Sequence, residues 1–171
     1  MKLSPRYRMP FKRTREGKTD YQRRLKLLKS RRPRLVVRRS LNYITAQIVG
    51  FDKQGDKTII SAYSRQLKKL GWKFACDNLP AAYLTGLAIG KQAVKNNIME
   101  VVLDSGLYAS SKGNRIYAVV KGAIDAGLNI PVSKEILPSD DRIAGKHITA
   151  NEKFKELPSA FEKVKHIIEG G

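Results

Sequence analysis

The chain has 171 residues and carries 34 Lys+Arg against 15 Asp+Glu, a formal net charge of +19. With 42% hydrophobic and 8% aromatic residues it can bury a core, which excludes a wholly disordered polycation and makes one domain plus some tail the default. A pI near 10.2 calls for a polyanionic partner, with nucleic acid first and an anionic membrane surface second.

The charge is concentrated at one end. Residues 1–39 hold 16 Lys/Arg against Glu16 and Asp20, a net +14, whereas the rest of the chain holds 18 against 13, a net +5. Three parts are expected: a basic arm with a short helix (1–33), an α/β body (34–130), and a C-terminal extension with a terminal helix (131–171). An arm so dense in like charge repels itself, and folding on its partner is expected. The first six residues have no apolar run behind them, so no signal peptide is expected.

In the arm, Tyr7, Phe11 and Tyr21 lie among Arg6, Arg8, Lys12, Arg13, Arg15 and Lys18. Guanidinium forks bind phosphate oxygens and flat rings stack on unpaired bases, so this interleaving suits RNA. A membrane arm would need a wide apolar face on one helix, which residues 1–18 lack. A solvated basic tail without a specific partner is the plainer alternative. Thr19 or Asp20 can cap a helix over 21–29, and Arg31-Arg32-Pro33 ends it. Tyr21, Leu25 and Leu28 share one side of it. Leu25 and Leu28 are expected to dock on the body, leaving Arg23, Arg24 and Lys26 for phosphates.

The body opens with a strand over 34–39 that has a basic end. Residues 43–51 alternate, with Ile44, Ala46 and Ile48 on one face and Tyr43, Thr45 and Gln47 on the other. A hairpin loop over 52–56 leads to a third strand over 58–63, completing an antiparallel meander. The period then changes. Asn78 caps a helix that Pro80 can start and that runs to about 96, with Gly86 and Gly90 allowing close approach of another element. The uncharged stretch 78–90 is too short for a membrane span, which needs about 20 residues, so a soluble protein is expected. Residues 99–104 form an apolar strand for a central or parallel position. Asn114 opens a second helix that Gly127 closes. Ser159 with Glu162 reads as a capping box for a last helix bearing Phe161, Val164, Ile167 and Ile168. That helix suits partner docking or core packing, and its mixed charges do not suit a membrane surface. The fold class is therefore α/β: a mixed sheet, namely a three-strand meander plus a further strand, with packed helices.

Chemistry is hard to assemble from these residues. Gly17-Lys18-Thr19 lacks the glycine five positions upstream and the preceding strand that a phosphate-binding loop requires. His147 and His166 have no third nitrogen or sulfur ligand, which argues against zinc. Cys76 is the single cysteine, so no internal disulfide forms, and a small buried thiol is at least as well supported as a reactive one. Asp140 and Asp141 stand beside Arg142 and Lys146, which favours loop salt bridges over a catalytic pair. No enzyme, no metal, no cofactor and no small-molecule substrate are expected.

The run Arg15-Glu16-Gly17-Lys18-Thr19-Asp20-Tyr21, then Arg24-Leu25 and Arg34-Leu35-Val36-Val37-Arg38, resembles the N-terminal signature of a ribosomal family. That family is the eighteenth large-ribosomal-subunit protein, the binder of 5S rRNA. Residues 44–48, 81–87, 103–107 and 121–128 fit it as well, and 141–148 resemble its archaeal-type branch. The resemblance implies a structural protein of the cytoplasmic ribosome that holds 5S rRNA against the large-subunit (23S-type) rRNA and neighbouring proteins of the central protuberance. The RNA contacts expected on the arm are Arg6, Tyr7, Arg8, Phe11, Lys12, Arg13, Arg15, Lys18, Thr19, Tyr21, Arg23, Arg24 and Lys26. Arg31, Arg32 and Arg34 follow at its junction with the body, and Arg38, Arg39, Ser40, Asn42, Tyr43 and Gln47 at the strand end.

Overall fold

The computed structural model describes residues 6–149 and 151–170, apart from the Lys153 side chain. The first five residues, where a signal segment was sought in the sequence, lie outside the described residues. Two short helices open the chain, α1 (Lys12–Arg15) and α2 (Tyr21–Leu28). The meander follows as β1 (Arg34–Arg39), β2 (Ile44–Gly50) and β3 (Lys57–Tyr63), paired antiparallel with Val36 opposite Gln47 and Ile48 opposite Ile60. A 3-10 turn (Ser64–Leu70), not foreseen from the sequence, leads to α3 (Leu79–Lys95). That helix carries the chain across to β4 (Val102–Asp104), which lies parallel to β1 at the other edge, in the order β3-β2-β1-β4. The fourth strand is thus parallel, as its apolar run implies, but it takes an edge and not a central place. Then come α4 (Arg115–Asp125), α5 (Asp140–Ile143) and α6 (Leu157–Gly170).

Strand alternation sorts the sheet into two faces. Leu35, Val37, Ala46, Ile48, Ile60 and Ala62 are buried in the core beneath the helices. Val36, Arg38, Thr45 and Gln47, at the alternate positions, are only half-buried. The caps act where the sequence puts them: the Asn78 side chain accepts from the Ala81 N–H at 2.9 Å and Asn114 from the Tyr117 N–H at 3.0 Å. Helix α3 is buried almost all round, so its uncharged composition serves the core. Among the described residues no helix is long and apolar enough to cross a membrane.

Helices α3 and α4 touch backbone to backbone. A Cβ at Gly86 would collide with the carbonyl of Val119, and one at Gly122 with that of Tyr83. Glycine is required here because nothing larger fits. The Tyr83 hydroxyl donates to Asp125 at 2.7 Å across the same contact, and burial followed by that bond pushes its phenol pKa up. Cys76 is buried and burial pushes its thiol up, in keeping with a packing role.

Three local expectations are corrected. The last helix begins at Leu157, with Pro158 in its first turn, and Ser159 donates to the Glu156 carbonyl at 2.8 Å inside the helix, so no capping box forms. Its buried stripe is Leu157, Phe161, Val164 and Ile168, at steps of four, three and four; Ile167 is 51% exposed. These four residues belong to the same core as the sheet, so the extension serves core packing. On α2, Leu28 is half-buried as expected, but Leu25 is exposed, and Arg24 and Leu27 are half-buried beside Leu28. Arg24 is held on that side by its ion pair with Asp56. Asp140 and Asp141 do form ion pairs, with Lys121 and Lys146.

Candidate nucleic-acid interface

The arm is folded back on itself by its own polar residues. The Asp20 carboxylate accepts from the Arg23 N–H at 3.0 Å and so starts α2. Arg13 Nε donates to Thr19 Oγ1 at 3.0 Å, bridging α1 to the turn before α2. Phe11 meets Tyr21 edge to face with centroids 5.2 Å apart, and Phe11 remains 72% exposed. Glu16, the one acid of α1's neighbourhood, is met by Lys18 at 2.9 Å and Lys12 at 4.0 Å. Arg6, Tyr7, Arg8, Arg15 and Lys26 are exposed.

The open face of the sheet receives the arm through charge. Arg23 donates to the Gly106 carbonyl at 2.9 Å, and Arg24 meets Asp56, in the β2–β3 hairpin loop, at 2.9 Å. Arg34 stands on the same face at 3% exposure, with Nη2 on Asp56 at 2.6 Å and Nη1 on Asp104 at 2.9 Å. Arg38 approaches Asp104 from the other side, with Nη2 on Oδ1 at 3.0 Å and Nη1 on the backbone carbonyl at 2.7 Å. Burial raises the Asp104 pKa, but the Arg38 hydrogen bond and charge, the Gly106 N–H and the Arg34 charge outweigh it, and the net shift is downward. A cavity of about 300 Å³ lies among these groups, between α2 and the sheet.

At the far end of β1, the Arg39 guanidinium sits over the Tyr108 ring, 5.1 Å from its centroid, while the Tyr108 hydroxyl donates to the Arg39 carbonyl at 2.7 Å. The Ser40 N–H donates to the Tyr43 carbonyl at 2.8 Å, making a tight turn whose tip, Leu41 and Asn42, is exposed. Tyr43, just before β2, and Tyr63, at the end of β3, have ring centroids 5.2 Å apart, with Gln47 four residues beyond Tyr43 on β2.

The structure therefore gathers Arg23, Arg24 and Arg38 at one side of the sheet and Arg39 to Tyr43 at its end. Arg34 differs from the other arginines expected at the interface: its guanidinium is buried between the Asp56 and Asp104 carboxylates. Arg31 and Arg32 are exposed, Arg32 pairing with Glu100 at 3.1 Å. A second cationic region escaped the sequence reading. A cavity of about 440 Å³ beside the starts of α3 and α4 is lined by Arg39, Arg115, Arg142 and His147. Arg115 there is tied to Asp77 at 2.9 Å. The two asparagine caps were legible, but their proximity depends on the helix packing. Among the described residues, no group of three or more His, Cys, Asp or Glu could hold a metal.

This is a scaffold that offers a polyanion fixed cations and exposed rings. Residues 5–100 and 91–133 match the family described as ribosomal large subunit proteins 60S L5 and 50S L18. The large ribosomal subunit protein uL18 of the archaeon Methanococcus maripaludis is 49% identical over 164 residues, covering 95% of this chain and 85% of that protein. The chain belongs to this family of ribosomal large subunit proteins. It is a structural constituent of the large ribosomal subunit and not an enzyme, and its partners are ribosomal RNA and ribosomal proteins.

Proposed function

We propose that this chain binds 5S rRNA and attaches it to the large-subunit (23S-type) rRNA and neighbouring proteins in the central protuberance of a cytoplasmic ribosome. The observation that carries the reading is the partition of charge. A net +14 lies in residues 1–39, and the described part of that segment, from Arg6 through α2, is largely exposed beside an open sheet face. Arg6, Arg8, Lys12, Arg13, Arg15, Lys18, Arg23 and Lys26 replace RNA counter-ions, and Tyr7, Phe11 and Tyr21 stack where bases are unpaired. Thr19 shapes the arm. Arg38, Arg39 and Gln47 on the sheet, with Ser40, Asn42 and Tyr43 in the tight turn that joins β1 to β2, suit recognition of A-form shape and 2′-hydroxyls, since the deep groove of RNA excludes side chains. The arm threads between two RNAs, and the body sets its register.

The test is equilibrium binding of the full chain to 5S rRNA, against excess transfer RNA, over a salt series. Preference for 5S rRNA that persists as salt rises supports the reading. Equal and steeply salt-sensitive binding to both RNAs would leave only a nonspecific polycation.

A further inference from the structure

The RNA-facing side of the sheet contains two acids that simple electrostatics would not put there. Asp56 and Asp104 each lower the positive potential of a face meant to attract phosphates. Their contacts form one unbroken chain, Arg24–Asp56–Arg34–Asp104–Arg38, that runs from α2 across β1. Its middle member is buried, whereas its ends are not: the side chains of Arg24 and Arg38 are 35% and 43% exposed. Each end therefore has one side held by a carboxylate and another open to solvent. The chain also links the arm helix to the body, as does Arg23 on the Gly106 carbonyl.

We propose that Asp56 and Asp104 are positioning residues of the RNA interface, which dock α2 on the sheet and fix Arg24 and Arg38 in place before RNA arrives. Long arginine side chains lose rotamer freedom when they bind a phosphate, and freezing them in advance removes that cost from the binding step. Arg34 is the tie: a guanidinium is rigid and permanently charged, and it bridges two carboxylates that would otherwise repel. Asp104 is held ionised by its arginines, which lower its pKa from the ordinary value. This inference rests on the 5S rRNA reading above for its RNA partner, but the docking of α2 does not depend on it.

The two expectations for removing an acid have opposite sign. Simple electrostatics predicts that Asp56→Asn binds every RNA at least as tightly. Positioning predicts that it binds 5S rRNA about tenfold more weakly while transfer RNA binding holds or tightens, because Arg24, and α2 with it, must again be ordered on binding. Asp52→Asn is the matched control: it removes the same charge from the same loop and leaves the arginine chain intact. Asp56→Glu should restore part of the preference. The free proteins are compared by limited trypsin digestion, in which cleavage after Arg23, Arg24 and Lys26 should be faster in Asp56→Asn than in the wild type or the control. Asp104→Asn should behave likewise where circular dichroism shows it folded. Unchanged RNA preference and unchanged cleavage in Asp56→Asn would overturn the proposal. If the wild type itself shows no preference for 5S rRNA, the functional reading fails, and the trypsin comparison alone decides whether the acids dock the arm.

Discussion

Replacing Gly86 with alanine tests the packing that supports the whole interface. A Cβ at that position would sit 2.7 Å from the Val119 carbonyl carbon and 2.8 Å from its Cα, and closer still to the carbonyl oxygen. Ordinary contact at this position would need 3.4–4 Å. The obstacle is backbone of α4, so no side chain can rotate away and the two helices must part. Overpacking of this kind costs about 3 kcal/mol or more when backbone must move, while alanine returns about 1 kcal/mol of helix propensity. The net expectation is a loss of about 2 kcal/mol, or a fall in melting midpoint of about 4–8 °C for a chain of this size. Gly170→Ala is the control, because a Cβ there meets nothing within 4 Å, and its stability should stay within about 0.5 kcal/mol of wild type. Urea unfolding followed by far-ultraviolet circular dichroism measures both. A Gly86→Ala protein as stable as the control would refute the argument that this glycine is a packing requirement.

Other outcomes follow from the same structure. Phe161→Ala removes a buried ring that packs against Tyr83 with centroids 5.7 Å apart, and should cost about 3–5 kcal/mol; a loss under about 1 kcal/mol in urea unfolding would mean the last helix lies outside the core. Because the Asp104 pKa is depressed in the folded state, its ion pairs stabilise fully above the ordinary value of 3.8, and that contribution is lost as pH falls through the lower folded value. The stability gap between wild type and Asp104→Asn should accordingly shrink between about pH 5 and pH 3, and a constant gap would contradict the assignment. Deleting residues 1–20 removes seven Lys/Arg, so RNA binding should weaken and the slope of log K against log salt should flatten by up to about 5, at roughly 0.7 per phosphate neutralised. An unchanged slope would take the RNA role away from the arm.

The basic arm, the meander and the two capped helices were legible because their signals are local. Alternation in 44–48, Asn78 with Pro80, and Asn114 with Gly127 each act over a few residues and need no knowledge of the rest of the chain. The excess positive charge of residues 1–39 likewise pointed to a polyanion without any fold. The same local reasoning misplaced the start of α6, which begins at Leu157, a residue buried in the common core, two positions before Ser159. It also chose the apolar side of α2 for docking. That choice holds for the half-buried Leu28 and fails for Leu25, because Arg24 pairs with the Asp56 carboxylate and Leu25 is left in solvent.

Arg34 marks the boundary between the two kinds of information. As a letter in a basic run it is one more phosphate ligand, and nothing within several residues says otherwise. Its partners are 22 and 70 positions away, brought beside it by the β2–β3 hairpin and by the parallel pairing of β4 with β1. What kind of molecule the chain meets follows from composition and periodicity. Which cations face that molecule, and which are spent holding the scaffold, depends on contacts between distant segments, and those exist only once the sheet has closed.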